Sequence, residues 1–253
     1  MPSSSPASHS KDDLADSFGN VAELYERVRL EYSGAAVDRL KRELGLDSSA
    51  TALDLAAGTG KLTRALVPRF AEVVAVEPNA AMRALIQDVE PLEGSAERIP
   101  LPDGAVDAVF VGDAFHWFDW PVALREVARV LRPRGGLGLI WNHWWETEPP
   151  VPDRALTLLG DRFTGSGARS RIEGEDWHDG FAGSAFEPLG EDTVEEHIEI
   201  DGSRLVDLYL TTSSFAVLAD DERAEQEREL RELVRGRYTI PVHVQLAWTR
   251  VSG

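Results

Sequence analysis

The residues with the clearest capacity for chemistry fall in two short runs, Asp54-Leu-Ala-Ala-Gly-Thr-Gly60 and Glu77-Pro-Asn-Ala-Ala-Met82, each at the end of an apolar stretch. Gly58 and Gly60 let the backbone turn sharply and bring bare N–H groups against a ligand where a side chain would collide. An acid that closes the next strand stands where a ribose would lie, and its two oxygens can accept from both ribose hydroxyls. Glu77 is that acid. A dinucleotide site has the same outline but asks for a third glycine three residues after the second. Thr63 occupies that position.

These runs need a scaffold that alternates strand and helix. Asp12 to Leu44 reads as a helix, with Leu24, Val28, Val37, Leu40 and Leu44 at helical spacing and Gly45 as its end. Thr51–Ala57 then reads as a strand and Lys61–Leu66 as a helix. Glu72–Glu77 is a second strand, and a helix follows with Met82, Leu85, Ile86 and Val89 on one face. Val106–Val111 is a further strand. The helix behind it carries Trp120, Leu124, Val127, Ala128 and Leu131 and stops at Pro133 and Gly135-Gly136, before a strand at Gly138–Trp141. Such alternation implies parallel pairing through right-handed crossovers, hence an α/β, doubly wound, mostly parallel sheet that binds ligands at the carboxyl ends of its strands.

From 146 to 190 the pattern gives way to Pro, Gly, Ser and charge, with one short helix from Asp153 to Phe163, so this stretch reads as an insertion that could form a lid. Thr193–Ile200 alternates like a strand. Asp220–Arg235 is a charged helix with Glu227 placed to pair with Arg231, and Pro241–Val251 is a final strand. Residues 1–11, rich in Ser and Pro, read as a mobile tail ahead of a single domain over 12–253.

Bulk composition narrows the partners. The chain has 253 residues, 43% of them hydrophobic, enough for one full core. A formal net charge of -18 disfavours nucleic acid. There is no cysteine, which excludes a thiolate nucleophile and a disulfide framework and agrees with a cytoplasmic setting. No apolar run approaches the roughly 20 residues of a membrane helix. The six histidines show no close ligand spacing, so no metal is expected. A monomer and a homodimer are both compatible with the sequence.

The ordered segments from Thr51 to Trp141 resemble the class I S-adenosylmethionine-dependent methyltransferases, specifically the type 11 small-molecule family that includes proteins similar to trans-aconitate methyltransferases. They are Asp54–Lys61, Val76–Met82, Gly94-Ser-Ala-Glu97, Leu101–Asp107, Ala114-Phe-His-Trp-Phe118 and Ala128–Gly136, with Ser17-Phe-Gly19 and Tyr25–Arg29 as the lead-in. The resemblance implies a Rossmann-like fold with an insertion after its fifth strand and an antiparallel carboxyl-terminal strand. The implied product is S-adenosylhomocysteine. It places Asp54, Ala56, Gly58, Thr59 and Gly60 against the methionine and ribose portions, and Glu77, Pro78 and Met82 at the ribose. Ser95, Ala96 and Glu97 would border the adenine, Asp113 and Ala114 the methionyl part, and Phe18, Tyr25 and Arg29 would close over the cosubstrate. Many relatives carry Asp where Ser95 stands, which leaves a backbone contact to the adenine amine.

For a hydroxyl acceptor an imidazole near neutrality suits the proton that must leave, and His116 is best placed, with His143 a weaker second. The alternative for His116 is packing beside the cosubstrate without proton transfer. Trp117, Phe118, Trp141, Trp144 and Trp145 could wall an apolar acceptor pocket, although ordinary core burial explains any one of them better. A carboxylate acceptor would need a cation instead, for which Arg29 and Arg171 are available. Gly112-Asp-Ala-Phe-His116 lacks the Asn/Asp-Pro-Pro-Tyr arrangement of methyltransferases acting on nucleic-acid bases. The expected reaction is methyl transfer to oxygen or carbon of a small molecule, such as a carboxylic acid or a secondary-metabolite intermediate. The competing readings are a nicotinamide-dependent oxidoreductase and a binding protein without catalysis.

Overall fold

The computed structural model describes residues 22–144, 150–159, 177–211, 215 and 218–252. Its elements are α1 (Ala22–Val28), α2 (Gly34–Glu43), β1 (Thr51–Leu55), α3 (Lys61–Leu66), β2 (Glu72–Val76), α4 (Ala80–Arg83) and β3 (Val106–Gly112). There follow α5 (Trp120–Val130), β4 (Leu131–His143), α6 (Asp153–Leu159), β5 (Gly190–Asp201), α7 (Gly202–Leu210), α8 (Asp220–Leu233) and β6 (Arg237–Arg250). Among the described residues no helix is long and apolar enough to cross a membrane.

The six strands form one sheet in the order β2-β1-β3-β4-β6-β5. β1 pairs parallel with β2 and β3, and β3 with β4. β6 runs antiparallel between β4 and β5. Side chains alternate across the central strands, so both faces are apolar. Ala52, Phe110 and Ile140 pack with Leu40 of α2 and Leu205 of α7, whereas Leu53, Val109 and Leu139 pack with Leu124 and Val127 of α5. The chain leaves β1 for β2 on one side and crosses to β3 on the other. A switch point therefore opens at the carboxyl ends of β1 and β3.

Several boundaries differ from the sequence expectation. The single lead-in helix is two helices interrupted at 29–33, where Ser33 caps α2 by accepting from the Ala36 N–H at 3.4 Å. Gly45, with φ +57, ends α2 as expected. The helix expected across Met82–Val89 stops at Arg83. The chain must return so that Leu92 can donate to Ala75 O and accept from Glu77 N–H, and Pro91 disfavours helix in the residue before it. That single bridge stands where a third strand was implied, so the strand counted fifth is the fourth regular one. Leu131 opens β4 rather than ending α5, because it pairs with Val106 ahead of an irregularity. Helix α7 was not anticipated. Glu227 and Arg231 pair as expected at 2.8 Å. The 1–11 tail and all of 160–176 lie outside the described residues.

Candidate active site

The turn after β1 takes backbone conformations that few residues tolerate. Ala56 has φ 58, Gly58 φ 58, and Gly60, which caps α3, φ 86. A Cβ on Gly58 would meet no protein atom within 4 Å and so would project into open space, at the wall of a cleft of about 1610 Å³ that Gly58 lines. A Cβ on Gly60 would press on Ile86 at 3.3 Å.

Glu77, 5% exposed, leaves β2 at the same edge. Its Oε2 accepts from the Gly58 N–H and its Oε1 from the Asn79 N–H, each at 2.8 Å. Burial raises its carboxyl above the usual range, against the pull of those two bonds and of Arg83. Each oxygen retains lone-pair capacity toward the cleft.

Asp54 is 1% exposed and receives the Thr63 hydroxyl on Oδ2 at 2.6 Å, so the residue that replaces a third glycine orients the motif's first acid. Burial pushes the Asp54 carboxyl up to about 7, against that hydrogen bond. Its Oδ1, like the buried Thr59 Oγ1, has no hydrogen-bond partner among the described residues.

Asp113 follows directly on β3, with φ 48. Its Oδ2 accepts from Tyr32 OH at 2.8 Å and its Oδ1 from the Asn142 N–H at 3.3 Å. Burial raises its carboxyl, opposed first by the Tyr32 bond and then by Arg29 and His143. Gly112 must be glycine for Tyr32 to come this close, since a Cβ there would lie 2.6 Å from the phenol oxygen. Tyr32, Asn79 and Asn142 were missed by the sequence reading. Tyr32 and Asp113 are 81 residues apart, and no local pattern joins them.

The lead-in segment is fastened over the turn. Buried Lys61 pairs with Glu31 at 2.7 Å, and Arg64 with Glu26 at 2.8 Å. Arg29 donates to Thr211 O at 2.8 Å and lies over the Tyr25 ring, its guanidinium carbon 5.1 Å from the centroid.

The structure gathers most of the expected residues at this edge. Tyr25, Ala56, Gly58, Glu77, Pro78 and Met82 line the large cleft. So do Ser95, Ala96, Glu97, Asp113, Ala114, Trp117 and Phe118. Arg29, Asp54, Thr59 and Trp144 line an adjoining cavity of about 50 Å³, which also touches Tyr25, Gly58 and Asp113. Gly60, His116, His143 and Trp141 line neither space among the described residues. The His116 ring packs 4.8 Å from that of Trp117, and Trp141 packs 5.1 Å from Trp177. Phe18, Trp145 and Arg171 lie outside the described residues. The cleft also takes in α5 residues and the 179–185 segment, none of which the sequence assigned to the site.

A family model described as a methyltransferase domain matches residues 53–139. An uncharacterized methyltransferase of Mycobacterium tuberculosis is 49% identical over 138 residues, 53% of this chain and 55% of that protein. The chain thus spans about half the length of that relative. An uncharacterized methyltransferase-like protein of Schizosaccharomyces pombe is 32% identical over 242 residues, 91% of this chain and 86% of that one. A candidate type II methyltransferase structure from Anaeromyxobacter dehalogenans shares the fold, with a TM-score of 0.59 at 23% identity over 88% of this chain and 97% of that one. The strand order, the glycine turn with its acid, and the near full-length relative agree: the chain belongs to the class I S-adenosylmethionine-dependent methyltransferases of the type 11 family.

Proposed function

We propose that this protein transfers a methyl group from S-adenosylmethionine to an oxygen or carbon of a small molecule, in the cytoplasm. The observation that carries the reading is Glu77, fixed by the Gly58 and Asn79 N–H groups at the wall of the large cleft with one face of its carboxylate still able to accept. The residues present fit the cosubstrate. Glu77 would hold the ribose hydroxyls, and Ser95, Ala96 and Glu97 would border the adenine. Asp113 and Ala114, with the unpartnered Asp54 Oδ1 and Thr59 Oγ1, would border the methionyl part. Tyr25 and Arg29 would cover it.

When bound, S-adenosylmethionine supplies a methyl group on a sulfonium, which is already a good leaving group. The protein's task is then to align an acceptor and exclude water. Trp117 and Phe118 wall the adjoining part of the cleft, and residues 179–185 cover it from the insertion side, which we read as a lid. We assign positioning, rather than proton abstraction by His116 or His143, as the main source of rate. Neither imidazole belongs to the cleft wall among the described residues.

The experiment that tests the reading is turnover of S-adenosylmethionine by the protein and by Glu77→Ala. The variant is expected to lose it. Binding of NADH in place of S-adenosylhomocysteine would instead identify an oxidoreductase.

A further inference from the structure

The cleft holds more than one ligand's worth of space. At about 1610 Å³ it exceeds the roughly 300–1,000 Å³ of ordinary small-molecule sites. Beyond Trp117 and Phe118 it continues along one face of α5, where Pro121, Leu124, Arg125 and Ala128 recur at the i, i+3, i+4, i+7 spacing of a single helix side. The other wall there is the small-residue segment 182–185, anchored where Gly180 packs on Trp120, a Cβ at 180 falling 2.7 Å from the Trp120 Cβ. This extension has one apolar helix side, Pro121, Leu124 and Ala128, with one cation on it.

That cation is Arg125. Among the described residues it is the only basic side chain lining the cleft, and it forms no hydrogen bond or ion pair with any of them. The next arginine on the helix, Arg129, is by contrast consumed by Glu126, Asp103 and the Leu101 and Ile99 carbonyls. The acids of the cleft are mostly committed near the glycine turn and the start of α5. Glu77 and Asp113 accept from neighbours there, Glu97 accepts from the Asp119 N–H, and Asp119 caps α5. Asp179 is the one acid on the 179–185 segment, and it is solvent-exposed and makes no ion pair with Arg125. An uncommitted guanidinium beside that apolar helix side, in a chain with a formal net charge of -18, is chemically suited to receive a carboxylate.

We propose that the acceptor is a carboxylic acid with an apolar body, its carboxylate held by Arg125 and its body laid along Pro121, Leu124 and Ala128. The carboxylate serves as a handle, set apart from the atom that receives the methyl group. This rests on the methyltransferase reading and names the substrate class for that site. It also replaces Arg29, held by the Thr211 carbonyl, as the cation for such an acceptor.

The test uses calorimetry on the intact protein, first with S-adenosylhomocysteine alone and then with the product-loaded protein titrated with decanoate, 4-phenylbutyrate and their primary amides. The acids are expected to bind about tenfold more tightly than the amides. Arg125→Gln is expected to abolish that preference and leave S-adenosylhomocysteine affinity unchanged, while Arg125→Lys keeps part of it. Arg125 is exposed and glutamine is a comparable helix former, so the fold is retained. Equal affinity for acid and amide in both pairs, binding of neither included, overturns the proposal. So does a preference that survives in Arg125→Gln. Absence of S-adenosylhomocysteine binding contradicts the methyltransferase reading itself.

Discussion

The Glu77 carboxylate accepts the Gly58 N–H at 2.8 Å, so the acid that ends β2 is locked to the glycine turn that follows β1. One interaction fixes both halves of the expected cosubstrate site. Glu77→Ala is therefore expected to weaken S-adenosylhomocysteine binding by a hundredfold or more, since two hydrogen bonds to a charged group are lost at about 1.5–3 kcal/mol each. It should also cost about 1–3 kcal/mol of stability by leaving the two backbone donors unpaired. Calorimetry and denaturant melts read the two effects separately, and unchanged affinity would remove Glu77 from the site.

Gly58 and Gly60 divide binding from stability. Both have positive φ, so alanine costs about 1–2 kcal/mol at either position. At Gly60 the new Cβ also presses on Ile86, and the loss should appear mainly in the melting temperature. At Gly58 no protein atom is in the way, and the Cβ intrudes on the ligand. Gly58→Ala is expected to lower S-adenosylhomocysteine affinity at least tenfold more than its stability loss explains. Equal affinities in the two variants would contradict this.

Asp54 makes the stability of the protein depend on pH between the acidic range and neutrality. Its carboxyl titrates at about 7 when folded, because of burial, whereas an exposed aspartate in the unfolded chain titrates at 3.8. Between those values the native state holds a proton that the unfolded chain has released, so stability falls as pH rises from about 4 to 7 and levels off above. The full span corresponds to at most about 4 kcal/mol. Asp54→Asn should melt several degrees higher than the parent at pH 8, and its advantage should shrink to less than half of that at pH 5. A difference that is the same at both pH values would show that Asp54 does not carry this proton.

If positioning supplies the rate, His116→Ala should retain at least about a third of kcat once an acceptor is known. General bases contribute roughly 10²–10⁴-fold. A loss in that range, with S-adenosylhomocysteine affinity intact, would restore His116 as the base.

The central sheet was legible in the sequence because buried parallel strands and amphipathic helices leave strong local patterns, as at Val106–Gly112 and Trp120–Val130. Glu77 was legible for the same reason: it sits at a fixed place relative to a glycine turn. Tyr32 was not, because its role is defined by a bond to Asp113 across 81 residues. The break at 29–33 was hidden likewise, since Glu31 and Arg29 leave helical geometry to reach Lys61 and Thr211. Arg125 looked like any charged residue on a solvated helix face. Only the packing of 180–185 across α5 turns that face into a groove.

The most direct test of the account is calorimetric titration of the purified protein with S-adenosylhomocysteine, with NADH as the comparison. Saturable, stoichiometric binding of S-adenosylhomocysteine and none of NADH is the predicted result, and binding of NADH alone would contradict it.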